Sequence, residues 1–318
     1  MGGYILRRVL AIVPTLLITS LILFAVLRMI PGDAVDVLMA QMPDIGDAAK
    51  TRALLEAQLG LDRPFFERYL AWLGDLLRGD LGTSIRYNTP VLDEILYRLP
   101  LTLELGLWTL FYALLIALPI GIWSAVRQDG LLDNLARSFA IVLVSVPGFV
   151  LGVLVLLLPA MWWGWSPPRY VPFAESPRDN FLAMSIPALI AAAATTAAIV
   201  RVLRTSMLEV MRQDYIRTAW AKGVSERAVV LRHAVKNALI PVLTLIGILL
   251  PALLGGIFVL ELIFTLPGTG ILLLDAVRQR DYPVITGVFV VFAVLVVFVN
   301  LLIDLCYGWL DPRIRYDR

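Results

Sequence analysis

The sequence predicts an all-α membrane protein with six spanning helices, and three observations carry that prediction. Hydrophobic residues make up 59% of the 318 positions and mean hydropathy is +0.83. Charged residues are only 16%, well under the roughly 25% of a soluble domain. Six stretches hold no Asp, Glu, Lys or Arg at all: 9–27, 105–126, 138–168, 180–200, 237–260 and 282–303. A run of about 20 residues at about 1.5 Å rise crosses a hydrocarbon core of about 30 Å, and a helix satisfies its own backbone hydrogen bonds where no water can.

The first run follows Arg7 and Arg8 as a secretory signal would. It is longer than a signal h-region and no small-x-small cleavage site follows, so it is expected to stay as the first helix. Between the first and second runs lies the insertion 31–100. Within it, "DRPFFERYLAWLGDLLRGDLGTS" places Phe66, Tyr69, Leu70, Leu73, Leu76 and Leu77 at helical spacing, with Pro64 near the start and Gly79 after the end. This predicts an amphipathic helix over Phe65 to Arg78, lying on the membrane or on the mouth of the bundle.

The third run is longer than a span needs, so its helix is placed near 138–158, with Trp162 to Pro168 at the interface where Trp is favoured. Gly148 and Gly152 form a small-xxx-small pair, most simply a packing seam. In the fourth run, "AAAATTAA" sets Thr195 and Thr196 among small residues. Both are candidates to line a pathway or to hydrogen-bond between helices. Glu104, Glu261 and Asp304 bound charge-free runs, which points to interfacial or paired carboxylates; Asn300 is a further polar exception.

Basic residues give the orientation. With the N-terminus inside, the inner segments hold fifteen of the 27 Lys and Arg, while the two short outer loops hold four. That asymmetry predicts both termini on the cytoplasmic side and the insertion 31–100 outside. The single cysteine, Cys306, excludes an intrachain disulfide and a Cys-based zinc site; the single histidine, His233, reads as a helix-surface residue. No metal site and no catalytic constellation is predicted. No internal repeat divides the chain, so residues 1–318 read as one membrane domain.

The segment 204–237 stands apart, with seven basic residues, Arg201 just before it as an eighth, and three acidic ones. Leu208, Met211, Tyr215 and Ala219 share a helical face, Gly223 interrupts, and Ser225 with Glu226 starts a second helix. Val230, Leu231, Ala234, Val235 and Ala238 form its apolar stripe. Such a segment can satisfy the positive-inside rule, lie on anionic lipid, or present a short helix to a soluble partner. The corner at the glycine leans toward the last.

The stretch "YIRTAWAKGVSERAVVLRHAVKNALIP" resembles the EAA-type cytoplasmic loop of ABC importer permeases, in the dipeptide, oligopeptide and nickel branch. The likeness extends along nearly the whole chain through "YILRRVLAIVPTLL", "IPGDA", "LGLDRPFFERYLAWLGDLLRGDLGTS", "LPGTG", "RQRDYPVITG" and "LLIDLCYGWLDPRIRY". One departure is that Pro241 follows Gly223 at a greater distance than in the short form of the motif, as in the peptide branch.

The resemblance implies a type I importer permease fold in a bacterial or archaeal inner membrane. It implies a homologous second permease, two ABC ATPases, an outer solute-binding protein and membrane lipid as partners, and no nucleic acid. Thr218, Ala219, Ala221, Lys222 and Gly223 match the core of the ATPase-coupling segment. Peptide is the expected substrate, with nickel chelates or oligosaccharides the alternatives within the family. The chain has no G-x-x-x-x-G-K phosphate loop, so ATP and Mg²⁺ are expected at the partner subunits and no cofactor on this chain. An ion-gradient transporter would be expected to show an inverted repeat or broken, charged spans. A non-transporting scaffold would leave the helix-glycine-helix segment without a use.

Overall fold

The computed structural model describes residues 2–29, 35, 39, 47–58 and 62–310, with side chains for all of these except 2–9, 27, 28, 304 and 306–310. The side chains of Arg7, Arg8, Asp304 and Cys306, most of 30–46 with its "IPGDA", and the segment 311–318 lie outside what is described. Helices occur in the order α1 Gly2–Met29, α2 Ala48–Gln58, α3 Phe65–Leu77, α4 Val91–Val126, α5 Leu131–Ser145, α6 Gly148–Trp163, α7 Pro177–Met211, α8 Asp214–Ala221 and α9 Glu226–Ala228. A π-helical turn, Val229–Ala234, leads into α10 Val235–Ile263, followed by α11 Thr269–Gln279 and α12 Tyr282–Leu310. Among the described residues the only extended pairing is one bridge between Thr83 and Pro90.

The predicted all-helical membrane class holds, while the described residues account for fewer than the six expected spans. Among the described residues four helical stretches are long and apolar enough to cross a membrane: Val91–Val126, Pro177–Met211, Glu226–Ile263 and Tyr282–Ile303. The shorter apolar helix Leu10–Val26 lies within α1. The third predicted span is broken into α5 and α6, bent by 91°, and makes a fifth span only if the pair counts as one. Proline explains the break. Pro147 lacks an N–H and pushes its predecessor out of the helical region, and Val146 sits at φ −100, ψ 118.

The chain divides into two compact units, one formed mainly by Leu101–Leu266 and the other by Leu6–Pro100 with Pro267–Val297. In the first, α7 is the centre, packed most extensively on α10 and α5. Its start is specified locally: Ser176 occupies the N-cap and accepts from the Asp179 N–H at 3.4 Å, Pro177 follows, and the Asp179 carboxylate accepts from Ser176 at 2.8 Å. Ala188, Ala192, Thr195, Thr196 and Ala197 are all buried on α7, where small side chains let neighbouring helices approach.

The glycine pair of α6 divides between two roles. A Cβ on Gly152 would lie 2.9 Å from Leu260 Cδ2, whereas one on Gly148 would meet nothing within 4 Å. The seam is therefore at Gly152 alone. Two carboxylates at the ends of charge-free runs also take different positions. Glu261 is fully buried and accepts from Thr102 Oγ1 at 2.5 Å, tying α10 to α4. Glu104 accepts from the Tyr170 hydroxyl at 3.5 Å and keeps its other oxygen buried without a partner among the described residues. Burial, reinforced by Glu104, pushes the Tyr170 phenol pKa up.

In the second unit the predicted amphipathic helix is α3, and it packs on α1. Phe24 lies 5.4 Å from the rings of both Phe65 and Tyr69 and 5.3 Å from Trp72. The Tyr69 hydroxyl pairs with Ser20 at 2.9 Å and donates to the Leu17 carbonyl at 3.3 Å. Phe66, Leu70 and Leu77 remain exposed on the flank of the same helix. A second anchor is Asp281 at the head of α12, which accepts from Ser84 Oγ at 2.5 Å and from the Ile85 and Arg86 N–H groups at 3.3 and 3.4 Å.

The two glycines of α6 give a paired expectation. Gly152→Val overpacks the contact with Leu260 and should destabilise the detergent-solubilised protein by about 1–3 kcal/mol, while Gly148→Val should leave its thermal midpoint close to that of the parent. Equal shifts in a thermal unfolding assay would remove Gly152 from the seam.

Candidate functional site

The residues singled out in the basic segment come together as one short helix and its turn. α7 ends at Met211; Gln213, extended at φ −72, ψ 149, breaks the helix, and α8 restarts at Asp214. Thr218 Oγ1 donates back to the Asp214 carbonyl at 2.9 Å, Ala219 is half-buried, and Ala221 and Lys222 close the helix. Gly223 then takes φ +78 with open space around it. Its N–H donates to the Trp220 carbonyl at 2.8 Å and the Val224 N–H to the Ala219 carbonyl at 3.2 Å. This pair of bonds is the Schellman closure, in which a left-handed residue lets two successive N–H groups satisfy the last carbonyls. Only glycine reaches that φ without a Cβ penalty.

The side of α8 that faces the protein differs from the sequence expectation. Ile216 is the residue with no exposure, while Tyr215 is 45% exposed. The expected face Leu208, Met211, Tyr215 and Ala219 assumed one continuous helix, and the break at Gln213 resets the phase. The second stripe shifts for a related reason. Val229, Val230, Ala234 and Ala238 are buried but Leu231 is 50% exposed, because the π-helical turn inserts wider i→i+5 spacing within the stripe. Ser225 stands at the N-cap of α9 yet makes no side-chain cap bond. α8 packs against the π-helical turn, and Asn237 Nδ2 donates to the Tyr215 hydroxyl at 2.8 Å and to the His233 carbonyl at 3.1 Å. The outward side, with Thr218, Trp220, Ala221 and Lys222, stays exposed.

The pathway candidates lie deeper along α7 and are separated by their phase on the helix. Thr195 lines an open, largely apolar cleft of about 440 Å³, together with Val146 and Gly148 at the α5–α6 elbow, Arg201 on α7, and Gly256 and Leu260 on α10. Thr196, about 100° further round the helix, is buried elsewhere, and its hydroxyl has no partner among the described residues. Roughly 24 Å of helix, at about 1.5 Å per residue, separates Thr195 from the end of α7 where α8 begins.

Sequence reasoning passed over one constellation. Asp133, fully buried in the first turn of α5, accepts from Arg204 Nε at 2.6 Å and Nη2 at 2.7 Å, and from Ser124 Oγ. By sequence alone Arg204 reads as one more loop charge. The available signal was that both residues sit about one turn outside charge-free runs, at the same predicted side of the membrane, with opposite sign. No group of three or more potential metal ligands occurs among the described residues.

Comparison with known proteins matches this architecture. The family described as "Binding-protein-dependent transport system inner membrane component" matches residues 117–316, and "Binding-prot-dependent transport system membrane comp, N-term" matches residues 1–106. The chain is 36% identical to the dipeptide transport system permease protein DppB of Escherichia coli (strain K12), covering 99% of each. It is 39% identical to the oligopeptide transport system permease protein AppB of Bacillus subtilis (strain 168), over 99% of this chain and 100% of that one. A putative peptide transport system permease protein of Brucella abortus (strain 2308) is 38% identical over the full length of both. With family matches running through both the insertion and the α7–α10 bundle, this chain belongs to the inner membrane components of binding-protein-dependent transport systems.

Proposed function

We propose that the chain is the permease subunit of an ATP-driven importer that takes di- or oligopeptides from an outer solute-binding protein. One observation carries the mechanism: α8, an eight-residue helix, is held by the single buried side chain Ile216 and closed by a left-handed glycine, with its remaining surface largely open. A helix that only answered the positive-inside rule would need neither the corner nor the anchor. Thr218, Ala219, Ala221, Lys222 and Gly223 form the surface that docks on an ABC ATPase, and the segment 204–237 is the coupling loop. The names of the full-length relatives support peptide as the substrate.

In this reading both termini and α8 are cytoplasmic and the insertion 31–100 is outside. A homologous permease completes the pathway, and two ATPases supply ATP and Mg²⁺ chemistry that this chain has no phosphate loop to perform. α7, 35 residues long, reaches about 52 Å against a hydrocarbon core of about 30 Å. Its overhang therefore carries the chain from the level of Thr195 and Thr196 to the docking helix. The cleft beside the elbow is the part of the pathway this chain contributes, with Thr195 as a polar group on an apolar wall and Thr196 behind it.

Three measurements test the reading. Gly223→Val forces a β-branched residue to φ near +78, at a cost of about 1–3 kcal/mol. Membrane insertion and pairing with the second permease should persist, while stimulation of ATP hydrolysis by loaded binding protein should be lost. Normal stimulation in the purified complex would make Gly223 a linker. With Cys306 replaced by Ser, cysteines placed at the exposed positions Arg78 and Ser225 should label from opposite sides of the membrane; labelling from one side overturns the orientation. Thr195→Phe narrows the cleft and should slow a tetrapeptide more than a dipeptide, whereas equal slowing takes the cleft out of the path.

A further inference from the structure

Between the docking helix and the cleft lies a fully buried charge that the transport reading does not yet use. Asp133 has no exposure, and donors from three places converge on its carboxylate. Arg204 of α7 bonds both oxygens at 2.6 and 2.7 Å. Ser124, in the last turn of α4, donates to Oδ1. The backbone N–H of Asp129, in the α4–α5 turn, donates to Oδ2 at 2.9 Å. Asp129 takes φ +61, a left-handed conformation that Asp tolerates better than most residues. At the neighbouring position Leu203 presses on α4 so closely that a Cβ on Gly121 would stand 2.9 Å from it. At this level the Asp133 carboxylate ties α5 to α4, to the α4–α5 turn and to α7.

A bidentate guanidinium–carboxylate pair differs from apolar packing in what it restrains. Apolar contact is non-directional and lets helices slide or roll. Two parallel N–H···O bonds fix both the distance and the orientation of the partners. The position of this pair on the chain is then informative. Arg204 lies two turns before the end of α7, which continues into α8, and Asp133 begins α5, whose far end is the break at Val146 and Pro147. Val146 of that break lines the same cleft as Thr195.

We propose that Asp133 and Arg204 are positioning residues for coupling: they make α5 travel with the base of α7, so that displacement of α8 is taken up at the α5–α6 elbow and reshapes the cleft. The proposal rests on the reading that force enters at α8. Ser124 and the Asp129 N–H occupy the remaining acceptor sites of the carboxylate, which keeps the buried charge satisfied while the helices move together.

Removing one partner alone leaves an unpaired buried charge, and such a variant would fail for structural reasons. The informative variant is the double replacement Asp133→Leu with Arg204→Met, since exchanging a buried ion pair for apolar residues of similar size is often neutral or stabilising. Arg204→Lys is the conservative companion, retaining the charge and losing the fork. Both are placed in the complete transporter with its ATPases and binding protein, reconstituted in liposomes.

The double variant should assemble and keep hydrolysis stimulated by loaded binding protein, yet peptide imported per ATP should fall about tenfold, in the range typical of coupling between sites. Arg204→Lys should fall between it and the parent. Spin labels at the exposed residues Leu135 of α5 and Glu209 of α7 should keep one separation with and without nucleotide in the parent and spread in the double variant. Loss of stimulated hydrolysis in Gly223→Val reports on docking, so the two readings fail separately. Parental import per ATP in the double variant would overturn the proposal. Failure of that variant to assemble would overturn it equally, since the pair would then hold the fold rather than pass displacement.

Discussion

The absence of water from the hydrocarbon core is the constraint on which the rest of this structure depends. Inside a bilayer each backbone N–H and C=O must be paired within the chain, and a helix does this segment by segment. Every place where the helix is interrupted therefore needs a local reason. At Val146 and Pro147 the reason is a proline without an N–H, and the interruption faces a cleft. Beyond the core, at Gly223, a left-handed residue serves the same end: its N–H and that of Val224 close the last carbonyls of α8. Between α9 and α10 the helix is not broken but widened to a π turn, a deviation that often accompanies function.

The same constraint governs side chains. Polar groups buried among apolar helices are costly unless paired, and here they form ties between particular helices. Thr102 donates to Glu261 across α4 and α10, Tyr69 meets Ser20 across α3 and α1, and Arg204 clasps Asp133 across α7 and α5. Each tie selects one relative placement where apolar packing alone would accept several. Thr196 is the contrasting case, a buried hydroxyl with no partner among the described residues on the helix that also carries Thr195 to the cleft.

For a membrane component of a binding-protein-dependent transport system, this combination suits the work. A long central helix, α7, is fixed laterally by its packing on α10 and by the ion pair with α5. The interruptions lie elsewhere: at the elbow between α5 and α6, and at the breaks that flank α8. Under the proposed coupling, long helices joined at a few defined breaks convert a push at one end into a change of shape at another. A uniformly flexible bundle would dissipate it.

The membrane class, the existence of the apolar helices, the interruption at Gly223 and the family were all legible in the sequence, because they follow from composition, from charge-free length and from local backbone preference. Gly223 is the plainest example, since the chemistry of one residue at the end of one helix decides its conformation. What the sequence misjudged were matters of phase and partnership. The break at Gln213 and the π turn at Val229–Ala234 rotated the buried faces from Tyr215 to Ile216 and from Leu231 to Val229. The bend at Pro147 split a run that length alone counted as one span. Asp133 and Arg204 are 71 positions apart, and no periodic pattern links them. Helical phase is a sum over every residue of an element, so one local irregularity shifts all that follows. Long-range pairing depends on how separate helices pack, and that is settled only when the tertiary structure forms.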